Sequence, residues 1–337
     1  MRKLQHISIH NFTLSNGETT SLELTYQVFG QALHTAPIVL INHALTGNSN
    51  VTGINGWWND VVGDQNIIDT EKYTILCFNI PGNGFDNKEE NLINNYKDFT
   101  ANDVAKIFEI GLYTLNIDTI HTVIGGSLGG GITWHLAVNN PNLFENIVVV
   151  ASHWKADDWL IANTFIQDNI LNNSIRPMED ARTHAMTFYR TATSFNKKFE
   201  GQKEAHFYAV ENWLQYHGNA LKNRFQLSSY KLMNHLLKTI EVAKSNKEFT
   251  NKASKIAGHI HLVTINTDGL FLADNNWETY IQLKPKKENV SISEIKSIHG
   301  HDAFLIEFEQ LSKILKPIFQ LSTLKRIGLT KYKQTAS

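Results

Sequence analysis

The sequence of 337 residues contains a single cysteine, Cys77. One thiol excludes an intramolecular disulfide framework and a cysteine-rich zinc site. Net charge is also nearly missing: 31 Lys+Arg stand against 32 Asp+Glu. That balance removes the sustained positive field that broad attraction to nucleic acid or an acidic membrane requires. No stretch approaches the roughly 18 apolar residues of a membrane span. The segment from Met1 to His10 alternates, and so lacks the continuous apolar run of a signal peptide. No internal repeat is visible. The expectation left by these absences is a soluble, cytoplasmic globular protein with no nucleic-acid or membrane partner. The composition agrees, because 42% hydrophobic and 19% charged residues suffice for a large core. Histidine is the unusual presence, at 15 copies.

The pattern changes three times along the chain. Gln5 to Leu14 and Ser21 to Phe29 alternate around the turn-like Asn16-Gly17, as half-buried strands do. Short continuous apolar runs follow at Ile38 to Ile41, Tyr73 to Phe78, Val123-Ile124 and Ile147 to Val150, the signature of strands covered on both faces. Thr100 to Asp103 reads as a helix cap, with Val104, Ile107, Phe108, Leu112 and Leu115 at helical spacing behind it. Strands alternating with helices imply parallel βαβ units and an α/β architecture. Over 152–251 the rhythm becomes helical, with helices expected at Asp157 to Leu171, Met178 to Arg190, Phe207 to His217 and Ser229 to Lys244. Strands resume at Ile260 to Ile265 and Val290 to Ile295, before a last helix from about Ala303 to Leu315. The expected organisation is an α/β core over 1–151 and 252–320, a helical lid inserted at 152–251, and a frayed tail over 321–337.

The sharpest chemical signal is Gly125-Gly126-Ser127-Leu128-Gly129-Gly130, between the strand His121 to Ile124 and a helix expected over Leu128 to Val138. Strand, sharp turn and helix are the setting in which G-x-S-x-G presents a nucleophile, with the helix N-terminus favouring negative charge beside the oxygen. Serine needs an imidazole base and an orienting acid. In motifs of this kind they follow in the order acid, then histidine, each in a loop after a late strand. Asp268 occupies the first such loop, with Asp274 a weaker rival; His301 occupies the second, in His299-Gly300-His301-Asp302. The two histidines lack a partner motif such as H-E-x-x-H, so no metal is expected. An oxyanion hole needs two N–H donors. Leu128 follows the nucleophile, and Leu45 lies in His43-Ala44-Leu45-Thr46-Gly47 after an early strand, where His43 shapes the loop. Arg182 and Tyr189, seven residues apart, share one helix face. That spacing alone favours unrelated surface residues, which are common, although a guanidinium suits a carboxylate.

Together these residues resemble the homoserine O-acetyltransferase family of α/β-hydrolase-fold acyltransferases, from about Gly17 to Phe319. The marks are His43 to Gly47, Gly56-Trp57-Trp58 with Ile68 to Tyr73, the Ser127 motif, Ala181-Arg182 with Tyr189-Arg190, Asp268 to Phe271, and His299 to Leu305. The resemblance implies a mostly parallel sheet flanked by helices with an inserted helical lid. It implies Ser127, Asp268 and His301 as a catalytic triad, Arg182 and Tyr189 at the homoserine carboxylate, and Asp302 at its amino group. It further implies ping-pong transfer from acetyl-CoA to L-homoserine for methionine synthesis, no cofactor beyond that co-substrate, and a homodimer through the lid helices. Succinyl-CoA as donor, serine as acceptor, and hydrolysis of small esters or thioesters are the alternatives. A catalytically silent binding protein is a further one, which the complete triad disfavours. The chain departs from the family at Asn79 to Phe85, where members carry a longer Gly-Gly-Cys-x-Gly-Ser-Thr-Gly-Pro stretch, and at Leu128, where Met is usual.

Overall fold

The computed structural model describes residues 3–204 and 206–319. Its strands are β1 (Gln5–Thr13), β2 (Thr19–Gly30), β3 (Ile38–Asn42), the short pair β4 (Val62–Gly63) and β5 (Ile68–Asp69), β6 (Thr74–Phe78), β7 (Ile120–Gly126) and β8 (Phe144–Val150). They continue with the short pair β9 (Lys203–Glu204) and β10 (Phe207–Tyr208), then β11 (His259–Ile265) and β12 (Val290–Ile295). Eight of them form one sheet in the order β1-β2-β6-β3-β7-β8-β11-β12. The pairs from β6 to β12 are parallel, and β1 and β2 are antiparallel at one edge.

The continuous apolar runs end up in the middle of this sheet because each strand feeds two cores. Leu76 and Phe78 of β6 face one layer while Ile75 and Cys77 face the other; Leu40 and Ile41 of β3 divide in the same way. Side chains alternate across a strand, so a strand covered on both sides needs apolar residues at every position. β1 alternates buried and exposed positions over Ile7 to Ile9, as an edge strand covered on one side does, whereas β2 is buried at every position from Leu24 to Gln27, where it enters the sheet beside β6.

The helices are α1 (Ala101–Thr114), α2 (Leu128–Asn139), α3 (Asp158–Asn173), α4 (Pro177–Tyr189), α5 (Ala192–Phe199), α6 (Ala209–Lys222), α7 (Leu227–Lys238), α8 (Asn246–Ala253) and α9 (Ala273–Leu283), followed by a helix over 308–319. At α1 the cap forms as expected: Thr100 Oγ1 accepts from the Asp103 N–H, and the Asp103 carboxylate accepts from the Thr100 N–H. α2 is buried from Leu128 to Ala137, so it runs through the core rather than along its surface. Helices α3 to α8 and the short pair β9 and β10 lie in the chain between β8 and β11. No helix among the described residues is long and apolar enough to cross a membrane.

Three helices differ from expectation, the first being that expected over Phe207 to His217, where Phe207–Tyr208 pair as β10 and the helix runs over Ala209–Lys222. The one expected over Ser229 to Lys244 stops at Lys238. Thr239 leaves the helical region at ψ 1°, Glu241 bridges to Lys155, and Ser245 then caps α8 through the Glu248 N–H. The helix expected from Ala303 is instead a 3-10 turn over Gly300–Leu305, broken at Ile306 (φ −130°) before the helix over 308–319 begins. The tail expected over Leu321 to Ser337 lies outside the described residues.

Candidate active site

Three chain-distant loops converge at the C-terminal edge of the parallel strands. The first is the turn between β7 and α2. Ser127 occupies it with φ 54° and ψ −124°, a conformation that costs a non-glycine residue about 1–3 kcal/mol. Its N–H donates to the Val150 carbonyl at 3.0 Å, and Ile132, Trp134 and Leu136 of the helix behind it are fully buried. Each such side chain contributes roughly 2 kcal/mol, so the burial of α2 outweighs the strain at its start. Gly129 permits the close approach: a Cβ there would sit 2.1 Å from the Asn42 carbonyl oxygen of β3.

The second loop follows β11 and carries Asp268. One carboxylate oxygen accepts from the Leu270 and Phe271 N–H groups at 2.8 and 2.9 Å, which leaves the other, Oδ2, aimed at His301. The third loop follows β12. His301 Nδ1 donates to Asp268 Oδ2 at 2.8 Å, and Ser127 Oγ donates to His301 Nε2 at 2.9 Å. Ser127, His301 and Asp268 therefore form one hydrogen-bonded row, all buried. Thr267 Oγ1 ties the two late loops together by donating to the Ser297 carbonyl and accepting from the Gly300 N–H. Asp274, the rival acid, is exposed on α9.

The rings of Tyr189, Phe271 and Phe304 each lie 5.7 Å from the His301 ring, centre to centre. Burial opposes the imidazolium. The charge and hydrogen bond of Asp268, joined by the charge of Asp302, outweigh it and hold the His301 pKa above its ordinary value. Cys77 is fully buried on β6, and desolvation pushes its thiol far above the usual range. Of the Cys77 and Ser127 side chains, only that of Ser127 stands against an imidazole, at 2.9 Å from His301 Nε2.

The two expected oxyanion donors lie on opposite sides of one junction. Leu128 is the first residue of α2, where an N–H has no carbonyl one turn back. Leu45 is buried in the turn after β3, and that loop packs on the first turn of α2, where Gly129 meets the Asn42 and His43 carbonyls. The Leu45 N–H has no protein acceptor among the described residues.

Arg182, Tyr189 and Asp302 come together beside the row. The Arg182 guanidinium carbon sits 5.5 Å from the Tyr189 ring centre, and Arg182 has no ion-pair partner among the described residues. Asp302 adjoins His301 in sequence and faces Arg190 at 3.9 Å. Burial raises its carboxyl pKa, against the opposing charges of Arg182, His301 and Arg190.

Arg190 is a residue that local spacing did not single out, although it adjoins Tyr189. It donates to Ser194 Oγ and to His299 Nδ1 at 3.1 and 3.2 Å, so the lid and the histidine loop share one polar knot. Two further lid contacts were equally invisible to periodicity. Trp159 Nε1 donates to the Gly269 carbonyl at 2.6 Å, and Arg224 donates to the Thr46 carbonyl at 2.9 Å. Of possible metal ligands, the described residues hold one trio, Asp64, Asp69 and Glu71, none of which belongs to this row. Asp69 there already accepts from Lys72 at 2.6 Å and from two backbone N–H groups.

The family model for the alpha/beta hydrolase fold matches residues 37–295. The homoserine O-acetyltransferase of Cyclobacterium marinum is 30% identical over 330 residues, covering 91% of this chain and 92% of the relative. That of Salinibacter ruber is 25% identical over 344 residues, covering 92% and 96%. Among solved structures, homoserine O-acetyltransferase from Bacillus anthracis superposes with a TM-score of 0.84 at 17% identity, over 94% of this chain and 97% of that one. Esterase E22 superposes with a TM-score of 0.83 at 14% identity, over 95% and 100%. At those identities the two structures speak for the fold alone. With the sequence relatives and the family model taken together, the chain is an enzyme that belongs to the homoserine O-acetyltransferase family of α/β-hydrolase-fold proteins.

Proposed function

We propose that this enzyme moves an acetyl group from acetyl-CoA to the hydroxyl of L-homoserine by a ping-pong mechanism, supplying an O-acyl ester for methionine synthesis. The observation that carries the reading is a charged clamp beside the serine row: Arg182 over Tyr189, with no ion-pair partner among the described residues, and Asp302 next to His301. A free amino acid offers a carboxylate and an ammonium group, and these two charges match Arg182 and Asp302. An enzyme cleaving a simple ester needs neither.

In the first half-reaction Ser127 Oγ attacks the thioester carbonyl and its proton passes to His301 Nε2. The tetrahedral oxyanion is held by the Leu128 and Leu45 N–H groups. Collapse breaks the C–S bond, CoA leaves as the thiol with the proton from His301, and an ester on Ser127 remains. In the second half, His301 takes the proton of the homoserine hydroxyl, whose oxygen attacks the ester carbonyl; Ser127 recovers its proton as the product leaves. No cofactor is needed. The related reading, hydrolysis of small esters or thioesters, is favoured by one feature. The loop Asn79 to Phe85 carries Pro81-Gly82-Asn83-Gly84, closer to the Pro-Gly-x-Gly loop of ordinary α/β hydrolases, and a Cβ at Gly82 or Gly84 would come within 2.8 Å of Leu232 or 3.0 Å of Ser229 on α7. The proposed location is the cytoplasm. The proposed assembly is a homodimer through the lid, supported by Trp159, Ile161, Phe165 and Ile166, which α3 leaves exposed.

The deciding measurement is thiol release from acetyl-CoA with and without homoserine. Release that depends on homoserine supports transfer; release indifferent to it makes the enzyme a hydrolase, and succinyl-CoA and serine run in parallel fix donor and acceptor. Arg182→Ala is expected to raise the KM for homoserine by about 10–100-fold, the loss of a charged hydrogen-bonding partner. The first half-reaction, read as the acylation rate without acceptor, should change less than about threefold. Equal loss in both halves would remove Arg182 from the acceptor clamp.

A further inference from the structure

The loop that presents Leu45 is locked by a histidine whose two ring nitrogens have different jobs. His43 is fully buried directly after β3. Its Nε2 lies 3.0 Å from the Ile80 backbone nitrogen, in the loop after β6, and 3.5 Å from Asn83 Nδ2. Both neighbours have only N–H groups to offer there, so Nε2 is the bare, accepting nitrogen. Its Nδ1 lies 2.8 Å from the Ala44 carbonyl oxygen, which only accepts. Both contacts demand the same neutral tautomer, with the proton on Nδ1. Burial, which outweighs the Ala44 contact, pulls the His43 pKa down to about 4, in keeping with a neutral ring.

The Ala44 carbonyl is one end of a peptide group whose other end is the Leu45 N–H. A trans peptide is planar, with C=O and N–H pointing in opposite directions, so whatever holds the oxygen aims the hydrogen. Two donors hold it: His43 Nδ1–H, and the Gly47 N–H at 2.9 Å. Gly47 is required for that tight return, because a Cβ at this position would come within 2.9 Å of His43 Cβ. The Leu45 N–H itself has no protein acceptor among the described residues.

We infer that His43 is a positioning residue for the reaction: through the Ala44 carbonyl it aims the Leu45 N–H at the developing oxyanion. The inference rests on the acyl-transfer reading above and deepens it. It also makes the short loop after β6 part of the catalytic framework, because the Ile80 N–H keeps His43 in the tautomer that can donate.

Two replacements separate the ring nitrogens. In His43→Asn the side-chain amide N–H falls where Nδ1–H was, which preserves the hydrogen bond to Ala44 and removes the acceptor for Ile80. In His43→Gln the amide oxygen falls where Nε2 was, which preserves the acceptor for Ile80 and removes the donor to Ala44. The readout is the single-turnover acylation rate with p-nitrophenyl acetate, beside its apparent KM and the thermal midpoint of each variant. Gln is expected to slow acylation by about 10²-fold at unchanged KM, the scale of losing an oxyanion donor, whereas Asn slows it by less than about fivefold. A Gln variant that acylates at the wild-type rate, or Asn and Gln variants that are slowed equally, overturns the inference while leaving acyl transfer intact. A wild-type protein that never forms the ester overturns the acyl-transfer reading first. Two-bond 1H–15N spectra of the 15N-histidine-labelled wild type test the same claim without relying on a folded Gln variant. The resonance that disappears in His43→Asn should report a neutral Nδ1–H ring within about a pH unit either side of neutrality. A protonated ring or the Nε2–H tautomer there overturns it.

Discussion

Ser127→Ala is expected to give a folded protein that forms no acyl-enzyme and turns over at least about 10⁴-fold more slowly than the wild type. The size follows from where the chemistry sits. Ser127 Oγ is the atom that His301 Nε2 faces at 2.9 Å, and among the described residues no second hydroxyl or thiol bonds to that nitrogen. Cys77 cannot substitute, being enclosed in the sheet with its thiol held in the neutral form. The fold should hardly notice. Alanine keeps the Cβ that already sits at φ 54°, and the Ser127 N–H bond to Val150 does not involve the side chain. One missing hydrogen bond beside a binding site costs about 1 kcal/mol. Intact-mass spectrometry after mixing with acetyl-CoA, without acceptor, checks the first half-reaction directly. An acetyl adduct surviving in Ser127→Ala at the wild-type rate would place the nucleophile elsewhere and dismantle the assigned row. A thermal midpoint within a few degrees of wild type separates loss of chemistry from loss of fold.

How far the sequence reaches depends on the range of the interaction. Continuous apolar runs such as Ile147 to Val150 are legible because burial on both faces imposes apolar side chains at every position of a short segment. The Ser127 turn is legible because strand, glycine-flanked turn and helix are adjacent in the chain. Asp268 and His301 follow from order along the chain, and the structure joins them by a hydrogen bond of 2.8 Å. Spacing put Arg182 and Tyr189 on one face of α4, and the structure brings them into contact. The long-range contacts, from lid to core and between core loops, leave no periodic trace. Arg190 to His299, Trp159 to Gly269, Arg224 to Thr46 and His43 to Ile80 all join residues 37 or more positions apart. The helix break at Thr239 escaped for a related reason. Leu236, Ile240 and Ala243 keep helical apolar spacing past Lys238, but β-branched Thr239, Ile240 and Val242 favour the helix little, and the chain turns into the bridge from Glu241 to Lys155.

Asp268→Asn is expected to lower acylation by about 10⁴-fold while leaving the protein folded, because it reverses the tautomer of the base. The Leu270 and Phe271 N–H groups donate to one oxygen of Asp268 at 2.8 and 2.9 Å, and in the variant the amide oxygen is the only atom able to receive them. The amide NH₂ is then turned toward His301 Nδ1. A donor facing Nδ1 forces that nitrogen to accept, and the ring proton moves to Nε2, where it blocks proton transfer from Ser127. The pH profile supplies a second readout with a definite sign. In the proposed reaction His301 acts as a neutral base, so the acylation rate of the wild type is expected to fall as pH drops through its raised pKa, above the ordinary 6.5. Without the charge of Asp268, burial dominates, and the residual activity should hold to a lower pH than in the wild type. A variant that keeps more than about a tenth of wild-type acylation would shift the orienting role toward Asp302, whose charge also acts on His301. An acid limb that stays where it was would show that the Asp268 carboxylate does not set the basicity of this imidazole, whatever its effect on rate. Rate and profile moving together, with a thermal midpoint near that of the wild type, is the outcome that the geometry of this row demands.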